Sequence, residues 1–132
     1  MRAFLDSNVL ISAFTADGAS SKLFDLLNER HTIIISPQVL REFRRITVDK
    51  FGADPAEVDP FITDVAEHSE ICLPPYSQRF EVRDPDDIEI LAAALKGKAE
   101  VLVTGDKDLL DIPNPPLPIV RPRQLYDLLT SE

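Results

Sequence analysis

Three short apolar runs, at residues 2–5, at Thr32-Ile33-Ile34-Ile35 and at Val101-Leu102-Val103, are separated by stretches whose apolar residues recur at helical spacing. That alternation constrains the fold more than any other feature of the chain. A β-branched run without polar alternation belongs to a strand covered on both faces. Strands that alternate with helices form a parallel sheet with helices packed against it. Leu23, Phe24, Leu26 and Leu27 mark one face of a helix expected to start near Ser20 or Ser21 and to fade by His31. Ser36-Pro37 is an N-cap followed by proline at the first helical position, ahead of Val39, Leu40, Phe43 and Ile46. Asp54-Pro55 repeats the signal ahead of Val58, Phe61, Ile62 and Val65, and Asp84-Pro85 ahead of Ile88, Leu91, Ala92 and Leu95. Glu70 to Leu73, Glu100 to Thr104 and Ile119-Val120 read as further strands, and Pro122 to Leu129 as a closing helix. The expectation is an α/β fold: one domain over residues 1–132, with a central parallel sheet of four to five strands and helices on both faces.

Composition narrows the function. Fourteen basic and 23 acidic residues give a net charge of −9, so a broad basic clamp on nucleic acid is not expected. A phosphate-bearing partner must meet a local basic patch or metal ions. Cys72 is the only cysteine, which leaves no internal disulfide and no zinc knuckle. Asp6 falls where a secretory signal needs apolar residues, and no run approaches the ~18 apolar residues of a membrane span. A soluble, cytoplasmic protein is the expectation. The four glycines are scattered, so there is no phosphate loop, and no Gly-x-Ser-x-Gly elbow occurs. His31 and His68 fall at expected helix ends, where capping suits them. Cys72 sits in an apolar strand as a core residue.

Carboxylates remain, placed where a parallel sheet puts its sites, beyond the carboxyl ends of the strands. Asp6 ends the first strand, and Asp106 follows Val103-Thr104-Gly105. Asp87 lies in the first turn of the helix capped by Asp84. Glu42 borders the buried stripe of its helix, three residues after Val39 and four before Ile46. Each has an ordinary reading: a turn or cap for Asp6 and Asp106, helix-dipole complement for Asp86 and Asp87, a salt bridge to Arg41 or Arg45 for Glu42. Together they can converge on one pocket. Like charges gathered there need something positive among them, and hard divalent cations, Mg²⁺ or Mn²⁺, match oxygen ligands.

The order and spacing of four segments resemble the PIN-domain family, and within it the toxins of toxin–antitoxin modules. The segments are Asp6-Ser7-Asn8-Val9-Leu10-Ile11-Ser12-Ala13, Ser36-Pro37-Gln38-Val39-Leu40-Arg41-Glu42-Phe43, Arg83-Asp84-Pro85-Asp86-Asp87 and Val103-Thr104-Gly105-Asp106-Lys107-Asp108-Leu109. The match reaches the closing Ile119-Val120-Arg121-Pro122-Arg123. The resemblance implies an endoribonuclease that uses Mg²⁺ or Mn²⁺ and hydrolyses RNA without a covalent intermediate. By position, Asp6, Glu42, Asp87 and Asp106 match the family's acidic quartet. Asn8 and Thr104 match polar positions that orient ligands or water. Asp84 and Asp86 compete with Asp87 for the third acid, and Asp108 with Asp106 for the fourth. Asp87 is favoured because Ile90, Leu91 and Ala94 put it on the flank of the inward face, and Asp106 because it is nearer the strand end. Arg41, Arg44 and Arg45 near Glu42, with Arg83 and Lys107 beside the acids, are the candidates for RNA contact. The resemblance also implies a homodimer and an antitoxin partner.

Two other classes use similar residues. A haloacid-dehalogenase- or receiver-like phosphotransfer domain also places an acid at a strand end. The first wants a second Asp two residues on, where this chain has Asn8, and the second wants an acidic pair where Asp6 stands alone. A non-catalytic module that keeps the fold to bind RNA or protein is the third class, and retention of all four acids argues against it.

Overall fold

The computed structural model describes residues 1–16, 18–76 and 84–131. Five strands, β1 (Arg2–Leu5), β2 (Thr32–Ile35), β3 (Glu70–Ile71), β4 (Val101–Val103) and β5 (Ile119–Val120), form one sheet in the order β3-β2-β1-β4-β5. Every pairing is parallel. Ala3, Phe4 and Leu5 are wholly buried, as are Ile34 and Ile35. Successive strand residues point to opposite faces, so both faces of the sheet are covered.

Seven helices are described: α1 (Ser7–Phe14), α2 (Gly18–Arg30), α3 (Pro37–Arg44), α4 (Pro55–His68), α5 (Pro85–Lys96), α6 (Lys107–Leu110) and α7 (Pro122–Thr130). Three of their starts follow the caps read from the sequence, while α2 begins at Gly18, ahead of the expected Ser20 or Ser21. The Ser36, Asp54 and Asp84 side chains accept from the backbone N–H of Val39, Ala56 and Asp86. Two helices, α1 and α6, have no counterpart in the periodicity. Another difference follows α3, where Arg45–Lys50 winds as a π-helical turn instead of continuing the α-helix to Ile46 and beyond. The buried Thr47 hydroxyl donates to the Phe43 carbonyl at 2.8 Å, a local bond that bends helices.

What positions the site is the packing of α1 against α3 and α4. Phe14 of α1 meets Phe43 of α3 and Phe61 of α4 edge-on, with ring centroids 5.7 and 5.2 Å apart. Phe61 also lies 5.3 Å from Phe43 and 5.8 Å from Phe24 of α2. Contacts of this kind add about 0.5–1.5 kcal/mol each beyond burial, and they set the helix start carrying Ser7 and Asn8 against the helix carrying Glu42. No helix among the described residues is long and apolar enough to cross a membrane.

Candidate functional site

Asp6 leaves β1 and becomes the N-cap of α1, its carboxylate accepting the Ser7 N–H at 2.8 Å. The other carboxylate oxygen accepts from the Thr104 hydroxyl at 2.8 Å and from the Asn8 amide at 3.0 Å. Asn8 also donates to the Thr104 hydroxyl at 3.2 Å, and its own oxygen accepts the Gly105 N–H at 2.8 Å. The Asp106 N–H donates to the Thr104 hydroxyl at 2.9 Å. One hydrogen-bonded network thus binds the carboxyl end of β1 to that of its neighbour β4. Asp106 then caps α6, accepting the Asp108 N–H at 3.0 Å. Across from this edge, α3 brings Glu42 and the first turn of α5 brings Asp87.

These residues meet in one pocket of about 190 Å³, lined by Asp6, Ser7, Asn8, Ile11, Glu42, Ile46, Asp84, Asp86, Asp87, Ile90 and Asp106. No Lys or Arg lines it among the described residues. Asp6 is 4% exposed and Asp87 7%, while Glu42 is half-buried. Burial pushes the Asp87 carboxyl up to about 6, with Asp106, Asp84, Asp6 and Asp108 adding to it. Burial raises Asp6 above the ordinary carboxylate range as well, against the hydrogen bonds from Thr104, Ser7 and Asn8. Glu42 is raised first by burial and then by Asp6, with the Ser7 hydroxyl and Arg45 acting the other way. Among the described residues neither Arg41 nor Arg45 forms an ion pair with Glu42.

An all-oxygen donor set with uncompensated negative charge is what hard divalent cations take. As the side chains stand, no group of three or more His, Cys, Asp or Glu among the described residues is arranged to hold an ion. The chemistry of the donors fits such a cation, and the carboxylates are not drawn together around one.

The pocket gathers Asp6, Glu42, Asp87 and Asp106, with Asn8, Asp84 and Asp86 on the same wall. Thr104 is wholly buried behind it, and Asp108 is exposed and outside the lining. Asp84 holds the α5 cap and is exposed. Arg41 and Arg45 are exposed and line an adjoining pocket of about 220 Å³ with Gln38, Glu42 and Asp86. Arg44 points its guanidinium elsewhere, to both oxygens of Asp59 on α4 at 2.8 and 3.3 Å. Lys107 is exposed at the start of α6. Arg83 lies outside the described residues. Sequence reasoning passed over Ser7 and the apolar rim of Ile11, Ile46 and Ile90. Ser7 sits between two singled-out residues, but a serine at a helix start carries no distinguishing pattern. Ile46 and Ile90 fall on the inward faces of their expected helices, and Ile11 in a segment where no stripe is read.

No curated protein matches the sequence. A family profile described as PIN domain matches residues 2–108. Among solved structures, the chain is similar to VapBC2 from Rickettsia felis, crystallised bound to a DNA fragment from their promoter. The TM-score is 0.66 at 22% identity, covering 92% of this chain and 98% of that one. At that identity the likeness establishes the fold.

Proposed function

From the premise that this chain belongs to the PIN domain family, we propose that it is a divalent-metal-dependent endoribonuclease and the toxin of a toxin–antitoxin pair. PIN domains are generally nucleases. The observation that carries the reading is the convergence of Asp6, Glu42, Asp87 and Asp106, from four different elements, on a pocket that no Lys or Arg lines among the described residues. In this reading the four carboxylates hold Mg²⁺ or Mn²⁺, and residues 1–132 act as one nuclease domain. When bound, the ions lower the pKa of a water to make it a nucleophile and offset charge on the leaving oxygen of a phosphodiester.

The chain's own residues do the rest. Asp6 accepts three hydrogen bonds, which orient it and leave about one of four lone-pair sites for an ion. Asn8 and Thr104 fix that orientation, as partners outside a metal's own ligands commonly do. Arg41, Arg45 and Lys107 are the RNA contacts, with Arg83 beside the acids in sequence. Arg44 joins them only on leaving Asp59. Asp87 is the third acid, with Asp84 its cap, and Asp106 is the fourth. The likeness to VapBC2 supports an antitoxin partner. The chain acts as a homodimer, on RNA, in the cytoplasm. Family membership sets aside the phosphotransfer alternative.

The test is cleavage of single-stranded or structured RNA by the purified chain. Activity should require Mn²⁺ or Mg²⁺, vanish in EDTA and return when metal is restored. Cleavage that survives chelation and dialysis overturns the metal mechanism.

A further inference from the structure

The pocket beside the acids is lined by a residue with an unexplained atom. Gln38, on the first turn of α3, donates weakly from its side-chain nitrogen to the Asp86 carbonyl at 3.5 Å. Its side-chain oxygen is buried and has no hydrogen-bond partner among the described residues. A buried acceptor left unpaired costs about 1–3 kcal/mol, and an apolar side chain of similar shape avoids that cost. Gln38 shares its pocket of about 220 Å³ with Arg41, Glu42, Arg45 and Asp86. Glu42 and Asp86 also line the acidic pocket, so the two cavities share a wall. Arg41 and Arg45 are exposed and form no ion pair among the described residues. A polar amide with a spare acceptor, two available guanidinium groups and a common wall with the acids suit a nucleotide.

We propose that this second pocket is a subsite for one nucleotide next to the bond that is cleaved. Arg41 and Arg45 hold its phosphate, and Gln38 reads its base. Guanidinium groups match phosphate oxygens in a planar, two-pronged way. Single-stranded RNA exposes base edges that are closed in a duplex. A glutamine amide pairs with both the N6 amine and N7 of adenine, its oxygen accepting and its nitrogen donating. Turning the amide brings its buried oxygen out to the base and gives up only one long bond, from the side-chain nitrogen to the Asp86 carbonyl. Adenine presents such a donor–acceptor edge on both sides of its N6 amine, toward N7 and toward N1, and is the occupant assigned. The inference deepens the nuclease reading, since it names what lies beside the scissile phosphate.

The experiment titrates AMP, GMP, CMP and UMP separately into the isotope-labelled full chain without metal. It follows the Gln38 side-chain amide and the arginine Nε–H signals by NMR. AMP should bind tightest and move the Gln38, Arg41 and Arg45 signals together. Gln38→Leu should weaken AMP about tenfold, the value of one well-made hydrogen bond, and bring the four nucleotides level. The same variant should melt no lower than the wild type, because it removes the unpaired acceptor. Arg41→Ala and Arg45→Ala should weaken all four nucleotides alike. The inference is overturned if no nucleotide binds at millimolar concentration, if the shifts map elsewhere, or if Gln38→Leu keeps the wild-type ranking. Cleavage plays no part in these titrations. A chain that reads adenine here but cuts no RNA defeats the nuclease reading alone, and one that cuts RNA but binds all four alike defeats the subsite alone.

Discussion

The two ends of the same sheet treat charge in opposite ways. At the amino end, Arg2 of β1 reaches across β2 to both oxygens of Glu70 on β3, at 2.8 and 2.9 Å. Its remaining N–H groups donate to the carbonyls of Gly97 and Lys98. The hydrogen bonds from Arg2 hold the Glu70 carboxyl below its ordinary value. The backbone N–H of Arg2 donates to Glu100, and the terminal amine meets His31. At the carboxyl end, Asp6, Glu42 and Asp87 are all raised first by burial and then by neighbouring carboxylates: Asp106 for Asp6, Asp6 and Asp86 for Glu42, and chiefly Asp106 for Asp87. Paired charges serve the fold, while carboxylates gathered in a pocket that no Lys or Arg lines among the described residues work against it.

The comparison breaks most sharply at Asp87. Asp87→Asn keeps the shape and removes one of the repelling charges. RNA cleavage should fall by at least about 10²-fold, because even partners outside a metal's ligands cost 10–100-fold when lost. Melting temperature without metal should hold or rise at pH 7, and the rise on adding Mn²⁺ should shrink. If cleavage survives while Asp84→Ala abolishes it, Asp84 is the third acid.

The pH dependence sharpens the same contrast. Asp87 in the fold lies near 6, above its ordinary value of 3.8, so protonation stabilises the native state. That contribution is full below about pH 4 and is lost as pH rises through 6. Glu70, held low, works the other way: its contribution is present above its ordinary value and lost as pH falls through the lowered one. Without metal, the stability difference between Asp87→Asn and wild type should grow in favour of the variant from pH 5 to pH 7. A flat difference across that range shows that Asp87 is ionised throughout.

At the amino end the outcome reverses. Arg2→Ala should lower the melting temperature by roughly 2–6 °C, the scale of a partly exposed ion pair and its backbone contacts. Specific activity of the folded protein should not change. Loss of cleavage in a folded Arg2→Ala chain would mean that the two ends are coupled through the sheet. The smallest effect is expected at Asp84, which lies at the acidic end but acts as a cap. Asp84→Ala should cost about 1 kcal/mol of stability, read by denaturant titration, and leave cleavage in place.

Much of the scaffold is written in short stretches of sequence. β2 spans Thr32–Ile35 as its unbroken β-branched run requires, and β5 spans Ile119–Val120. Helix starts at Ser36, Asp54 and Asp84 are local for the same reason: a cap needs only its own side chain and an N–H two or three residues on. α1 escaped because it has only eight residues, and Asn8 and Ser12 among Val9, Leu10, Ile11, Ala13 and Phe14 are too few to mark an amphipathic period. α6, at four residues, is too short to show one.

The site divides in the same way. The sequence alone determined that Asp6 and Asp106 follow strands, that Asp84 caps a helix and that Glu42 flanks a buried stripe, because each depends on near neighbours. Only the tertiary structure decided that these acids share a pocket, that Asp108 falls outside it, and that Arg44 turns to Asp59. Placing β4 beside β1 brings Thr104 to Asp6, and the packing of the phenylalanines sets α1 against α3, which carries Glu42. Those contacts join residues far apart in the chain, and burial and mutual repulsion exist only once the chain has closed around them.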